Sequence, residues 1–169
     1  STEMFDPATN TVSPGPEMGS PRADAVVALL ANGQVLIAGG YDGESALASA
    51  EMYDPVTNTM SPTGAMTTAR TSHAGVTLAD GRILIMGGSD REGHVVASAE
   101  LFDPATGTFV PPGSMAAARY KFGAALLGNG RALVAAGTDE RDAGGAMRST
   151  EIYDPASGAF QDGPPLLHA

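Results

Sequence analysis

Cysteine is absent from the 169 residues, and so is tryptophan. No disulfide, thiolate metal site or cysteine nucleophile can form, and the redox compartment is left open. Basic residues are scarce. Nine Lys and Arg stand against nineteen Asp and Glu, a net charge of −10. A free-standing nucleic-acid binder needs a basic face, and the sequence supplies none. No stretch approaches ~20 consecutive apolar residues, so no membrane span is expected. Few segments carry an i, i+3, i+4 apolar stripe, so no long helix is expected either. No signal-peptide pattern is visible and the first residue is Ser1. The expectation is a processed or excised piece of something longer. What is abundant is turn-forming: 22 Gly and 12 Pro, in a chain that is 43% hydrophobic. That composition lies below the level read as disorder, and the length suffices for one domain with a real core.

A repeat organises the chain. Glu3-Met4-Phe5-Asp6-Pro7 returns as Glu51-Met52-Tyr53-Asp54-Pro55, as Glu100-Leu101-Phe102-Asp103-Pro104 and as Glu151-Ile152-Tyr153-Asp154-Pro155. The Asp-to-Asp steps are 48, 49 and 51 residues. Gly39-Gly40, Gly87-Gly88 and Ala136-Gly137 keep the same step, as do Arg22, Arg70 and Arg119.

Each unit reads as four short strands. Asn32-Gly33, Asp80-Gly81 and Asn129-Gly130 separate the first two. These pairs accept positive φ at both central positions, so a type I′ hairpin is expected. The following runs, Val35 to Ala38, Ile83 to Met86 and Ala132 to Ala135, are almost wholly apolar. Such runs suit strands covered on both faces. The second hairpin begins Asp-Pro, where Pro pre-sets φ near −65°. Three residues after the Pro stand Asn10, Asn58, Gly107 and Gly158, all tolerant of the left-handed region. That predicts a type I turn followed by a bulge.

A unit of about 50 residues, with a diglycine after the second strand and an aromatic-Asp-Pro on the third, resembles the kelch repeat. The resemblance covers nearly the whole chain. It implies an all-β fold, a β-propeller of four-stranded blades. The family's usual Trp on the fourth strand is replaced by Val12, Met60, Phe109 and Phe160, and the third diglycine is Ala-Gly. These departures fit a bacterial-type variant, for which a secreted or cell-surface location is the expectation.

With strands A to D named outward from the axis, residues 1–14 form a C–D hairpin. Blades follow at 23–62, 72–111 and 121–162, about three and a half in all. Propellers close with roughly four to eight blades. An open arc leaves apolar faces and strand edges exposed, and these drive association. The ring is therefore expected to be completed by a second copy, as a homo-oligomer (a dimer of about six blades), or by the remainder of a longer propeller.

The B–C loops, Tyr41 to Ala48, Ser89 to Ala97 and Thr138 to Arg148, vary between units. Variable loops on a rigid frame are where binding resides, and in kelch domains that face resembles the usual partner-binding surface. The loops carry Asp42, Glu44, Asp90, Glu92, Asp139, Glu140 and Asp142, relieved by Arg91, His94, Arg141 and Arg148. Such a rim suits a basic peptide or a divalent cation, or is simply a solvated surface. Arg22, Arg70 and Arg119 have two readings: a cluster gripping an anionic ligand, or partners for the repeated Glu51, Glu100 and Glu151. Repetition in every blade argues for architecture. Residues that break the repeat are better site candidates, namely His73, Tyr120, Lys121 and Tyr41, which together would line a polar-aromatic pocket.

Kelch-type propellers include copper radical oxidases, but that chemistry needs a Tyr–Cys cross-link. A sialidase-type box needs Trp. Neither residue is present. The chain also lacks a Gly-x-Ser-x-Gly elbow and a His-x3-His zinc pair. No catalytic residue, metal site or cofactor is assigned. The expectation is a non-catalytic scaffold binding a protein or glycan through its loops. A carbohydrate-active enzyme or its accessory propeller, and a purely structural or engineered repeat array, are the alternatives.

Overall fold

A computed structural model describes residues 2–139 and 145–168. Fourteen strands and no helix are found among them. β1 (Glu3–Asp6) and β2 (Thr11–Pro14) form a two-stranded sheet. Three antiparallel four-stranded sheets follow. Blade 1 holds β3 (Val26–Leu29), β4 (Val35–Ala38), β5 (Ala50–Asp54) and β6 (Thr59–Pro62). Blade 2 holds β7 (Ala74–Thr77), β8 (Ile83–Met86), β9 (Ser98–Asp103) and β10 (Thr108–Ser114). Blade 3 holds β11 (Gly123–Leu126), β12 (Ala132–Ala135), β13 (Thr150–Asp154) and β14 (Ala159–Asp162). Within each blade the order in space is the order in sequence. The first strands β3, β7 and β11 lie against one another, as inner strands around an axis must.

Two apolar layers hold the arc together, and strand alternation decides which residue joins which. Leu36 and Ala38 of blade 1 meet Ile83 and Ile85 of blade 2. On the other side of the same strand, Leu84 and Met86 meet Ala132, Val134 and Tyr153 of blade 3. All four residues of β8 are therefore fully buried, as its continuous apolar run predicts. Backbone bonds stitch the blades at the diglycines. Gly40 N–H donates to the Arg70 carbonyl, and Gly88 N–H to the Arg119 carbonyl, each at 2.9 Å. The neighbour is so close that a Cβ on Gly87 would lie 2.5 Å from the Arg119 oxygen.

The C–D turns have the expected form. Asn10, Asn58, Gly107 and Gly158 take φ of 55°, 52°, 67° and 68°. The preceding aspartates cap the turn, as where Asp54 Oδ1 accepts from Val56 N–H at 2.8 Å. The A–B turns differ from the type I′ expectation. Only Gly33, Gly81 and Gly130 have positive φ there; Asn32, Asp80 and Asn129 do not. Leu30 N–H donates to the Gln34 carbonyl, and Gly33 N–H donates back to the Leu30 carbonyl. This is a three-residue loop, a type I turn followed by a glycine bulge. The longer loop needs one left-handed residue instead of two, so Asn32 is spared that conformation. Its side chain instead accepts from Gln34 N–H at 3.0 Å.

Candidate functional site

The arginines lie at the start of each A strand and the glutamates at the start of each C strand, at one end of the blade. Arg22 Nη2 meets Glu51 Oε1 at 2.9 Å, Arg70 meets Glu100 at 3.0 Å, and Arg119 meets Glu151 at 2.9 Å. Arg70 and Arg119 are fully buried. Each guanidinium also donates to two carbonyls, in Arg70 those of Gly87 and Ser98. The glutamates in turn accept backbone N–H groups from the segment leading into the arginine. Glu100 takes Thr67 and Thr68, and Glu151 takes Ala116 and Ala117. Arg22 Nε also reaches Glu51, whereas Nε of Arg70 and of Arg119 is buried without a partner. Burial lowers the pKa of the Arg70 guanidinium, with Glu100 opposing the shift. Burial pushes Glu51 up, but hydrogen bonds from Gly19 N–H and Arg22 outweigh it and leave its pKa lowered. Each ion pair ties the entry of a blade to its own third strand. Its terminal nitrogens are engaged within the blade and none faces an external ligand.

The four repeat-breaking residues do not form one pocket. His73 and Lys121 share a shallow cavity of about 280 Å³ near the axis with Asp24, Ser72 and Phe122. Tyr120 is buried under its neighbour, with Lys121 Nζ 5.5 Å from the ring centroid. Tyr41 lies apart in the B–C loop, its hydroxyl donating to the Gly43 carbonyl at 3.0 Å. The separation follows from blade order: Tyr41 bridges Ala23 within blade 1, whereas Tyr120 and Lys121 belong to blade 3. His73 Nε2 lies 3.2 Å from the Ala38 carbonyl of the preceding blade and must donate to it. Its Nδ1 is buried without a partner. Burial, aided by the Arg70 charge, pushes its pKa down to about 3. The ring is therefore a neutral packing piece where the next blade has Phe122.

One axial feature escaped the sequence. Asp24, Ser72 and Lys121, each two residues after the arginine, take φ of 53°, 53° and 52°. Only Asp24 is of a type enriched in that region; Ser72 and Lys121 are not. Ser72 Oγ donates to Asp24 at 3.1 Å, and Lys121 N–H donates to the Ser72 carbonyl. The three therefore form a ladder from blade to blade at the axial opening.

The B–C loops of blades 1 and 2 do come together. Arg91 Nε donates across to the Ala46 carbonyl at 3.3 Å. Around it open two cavities. One, of about 270 Å³, includes Tyr41, Thr71, Ser89, Asp90 and Glu92 in its lining; the other, of about 320 Å³, includes Thr67, Thr68, Asp90 and Glu92. Asp42 caps its own loop, accepting from Ser45 and Glu44 N–H, which hold its pKa below the usual range. Asp90, Glu92 and His94 each bring one ligand atom within 4.8 Å of the others. Such a set would suit a divalent cation, although His94 also sits 3.4 Å from Asp90 in its own loop. Asp139 is exposed at the edge of the third loop. Glu140, Arg141 and Asp142 lie outside the described residues. Two larger cavities, of about 370 and 470 Å³, open at the opposite face between A–B turns. They are lined by the turn residues that repeat in each blade, such as Asp80 and Asn129.

Radial four-stranded sheets, glycine-mediated blade contacts and variable loops at one end define a β-propeller. The kelch motif model matches residues 22–62 and 70–116, more than half of the chain, which therefore belongs to the kelch-repeat family. Blade 3, with Ala136 in place of the first glycine, falls outside the matched spans. No curated protein sequence matches the chain. Among solved structures, that titled "Structure of YjhT" aligns with a TM-score of 0.76 at 14% identity. The alignment covers 89% of this chain but 54% of that one, so the chain spans about half the length of this structural relative.

Proposed function

We propose that the chain is a non-catalytic binding scaffold, an arc of a kelch ring that takes a cationic segment of a protein partner on its B–C loop face. The observation that carries this reading is the position of the acids. Asp90 and Glu92 border both cavities between the first two B–C loops, and Glu44 borders one of them, on the part of the blade that does not repeat. Arg91 also lines both cavities, with its Nε engaged on the Ala46 carbonyl, so the carboxylates outnumber the cation, and a cleft with an excess of one sign of charge attracts the opposite sign. The state of His73 supports the absence of acid–base chemistry at the axis, since its Nε2–H is used on Ala38 and its pKa is far below neutrality.

The ring itself is completed by further strands, from a second copy or from additional sequence. Supporting this, Val27 and Leu29 on the inner strand of blade 1 are 67% and 66% exposed. The test of binding is a titration of ¹⁵N-labelled chain with lysine-rich, neutral and acidic peptides and a neutral oligosaccharide. The lysine-rich peptide should shift amides of residues 41–46 and 89–95, weaken with salt, and lose affinity with Asp90→Asn. Shifts with the oligosaccharide alone would replace the peptide by a glycan. No shift in these loops with any probe would refute the reading.

A further inference from the structure

The chain has four asparagines, and two of them precede glycine. Asn10 and Asn58 are each followed by Thr, whose branched side chain stands over the next backbone nitrogen. Asn32-Gly33 and Asn129-Gly130 lie at the tips of A–B turns, where both asparagines are exposed and no Cβ shields the nitrogen that follows. Blade 2 carries Asp80-Gly81 at the same place.

The three turns share one frame. Oδ1 of Asn32, Asp80 and Asn129 accepts from the N–H two residues on, that of Gln34, Arg82 and Arg131, at 3.0, 3.1 and 3.2 Å. In the asparagines this donor sits on the oxygen that turns negative when the amide carbon is attacked. The glycine N–H is held by the carbonyl of Leu30, Leu78 or Leu127 at 2.9, 3.0 and 2.9 Å, a bond that must open before its nitrogen can attack. That brake is common to all three. The side chain after the glycine is what differs. In blade 1, Asn32 Nδ2 donates to Gln34 Oε1 at 2.9 Å, and Gln34 Nε2 donates onward to Asp54. The amide that would have to leave is tied down. In blade 2 the Arg82 guanidinium closes on Asp80 Oδ2, with Nε at 2.8 Å and Nη2 at 2.7 Å, and holds that carboxyl below its usual range. In blade 3 Arg131 stands where Arg82 does. Neither its guanidinium nor Asn129 Nδ2 has a partner among the described residues, and both residues border one cavity of about 370 Å³. Asp80 and Asp154 border it too, but Asp80 is engaged by Arg82, and Asp154 caps its own turn through Ala156 N–H.

We propose that Asn129-Gly130 is a self-modifying site, a turn that converts its own asparagine to an acidic residue ahead of Asn32. Gly130 nitrogen gives up its proton to water and bonds Asn129 Cγ. The amide nitrogen takes up a proton and leaves as ammonia, which closes a five-membered imide. Water then adds to one imide carbonyl and breaks its bond to nitrogen. The product is an aspartate, or its isomer linked through the side chain. The net change is amide and water to carboxylate and ammonium, with no oxidation or reduction. Arg131 offsets the charge that builds on the attacked oxygen, then pairs with the finished carboxylate as Arg82 pairs with Asp80. Blade 3 thereby acquires the charge pattern that blade 2 encodes, on the face opposite the B–C loops.

The test is peptide mapping by mass spectrometry of the folded chain during incubation in mildly alkaline buffer, counting the exchange of amide for carboxylate at each asparagine. Asn129 should convert at least about fivefold faster than Asn32, the factor that one retained hydrogen bond represents. Arg131→Gln, which gives blade 3 the turn of blade 1, should slow Asn129 to the rate of Asn32. Gln34→Arg should quicken Asn32, and melting curves check that both variants stay folded. In urea the two asparagines of the native sequence should convert at comparable rates, because the turns are gone. Equal rates in the folded chain, an Asn129 rate indifferent to Arg131→Gln, or a preference that persists unchanged in urea overturns the proposal. A folded Asn129 that stays intact while the unfolded one converts overturns it as well, since the Gly130–Leu127 bond then locks the turn.

Discussion

Truncation of Arg70 to alanine is the sharpest test of what the repeated arginines do. The substitution removes a fully buried guanidinium that bonds Glu100 and the carbonyls of Gly87 and Ser98. Glu100 remains buried, still accepting from Thr67 and Thr68 N–H but without its cation. Breaking a buried ion pair by removing one partner costs about 3–5 kcal/mol. For a chain of this size that is a fall of roughly 6–20 °C in melting temperature. It is also a large share of the ~5–15 kcal/mol that holds most domains folded. The companion variant, Arg70→Met with Glu100→Gln, removes both charges and keeps most of the volume. It should recover at least about 1 kcal/mol of the loss, because no uncompensated carboxylate is left. Urea unfolding of the three proteins at pH 7 reads these quantities directly. An Arg70→Ala cost below about 1 kcal/mol, or no recovery in the double variant, would refute an architectural role and revive the ligand-gripping one.

Three further outcomes follow from the packing. His73 is held neutral, so the unfolded chain binds more protons than the folded one between pH 6.5 and about 3. Its contribution is fully present above pH 6.5 and is lost as pH falls through that window, by up to about 1.4 kcal/mol per pH unit. His73→Phe, the residue that blade 3 carries as Phe122, should flatten that slope in a series of melts. Ala136 sits at φ 62°, where its counterparts are glycines. Ala136→Gly should stabilise by about 1 kcal/mol, and Gly87→Ala, whose Cβ would meet the Arg119 carbonyl, should destabilise by more. Phe102→Ala deletes a buried ring whose centroid lies 4.9 Å from that of Phe109, the two tilted by 50°, and should cost about 3–5 kcal/mol. Phe5→Ala, at the same repeat position but exposed, should cost less than about 1 kcal/mol; comparable losses would show that the half-blade is already covered.

What could be read along the chain was whatever repeats and is local. The four Asp-Pro turns, the apolar B strands and the arginine–glutamate spacing each recur at a fixed step, and local stereochemistry or strand alternation converts that recurrence directly into structure. The A–B turn type was not fixed this way, because Asn-Gly suits both a two-residue I′ loop and a type I loop with a glycine bulge; only the strand register chooses. The left-handed Ser72 and Lys121 gave no local signal, since the blade-to-blade ladder imposes their conformation. Tyr41 and His73 seemed equivalent candidates in sequence, yet one lies in an outer loop and the other under Ala38 of the preceding blade. A side chain's surroundings in a propeller come from the adjacent blade, about 49 residues away. The sequence alone determined each sheet, and the packing of sheet on sheet decided which residues meet.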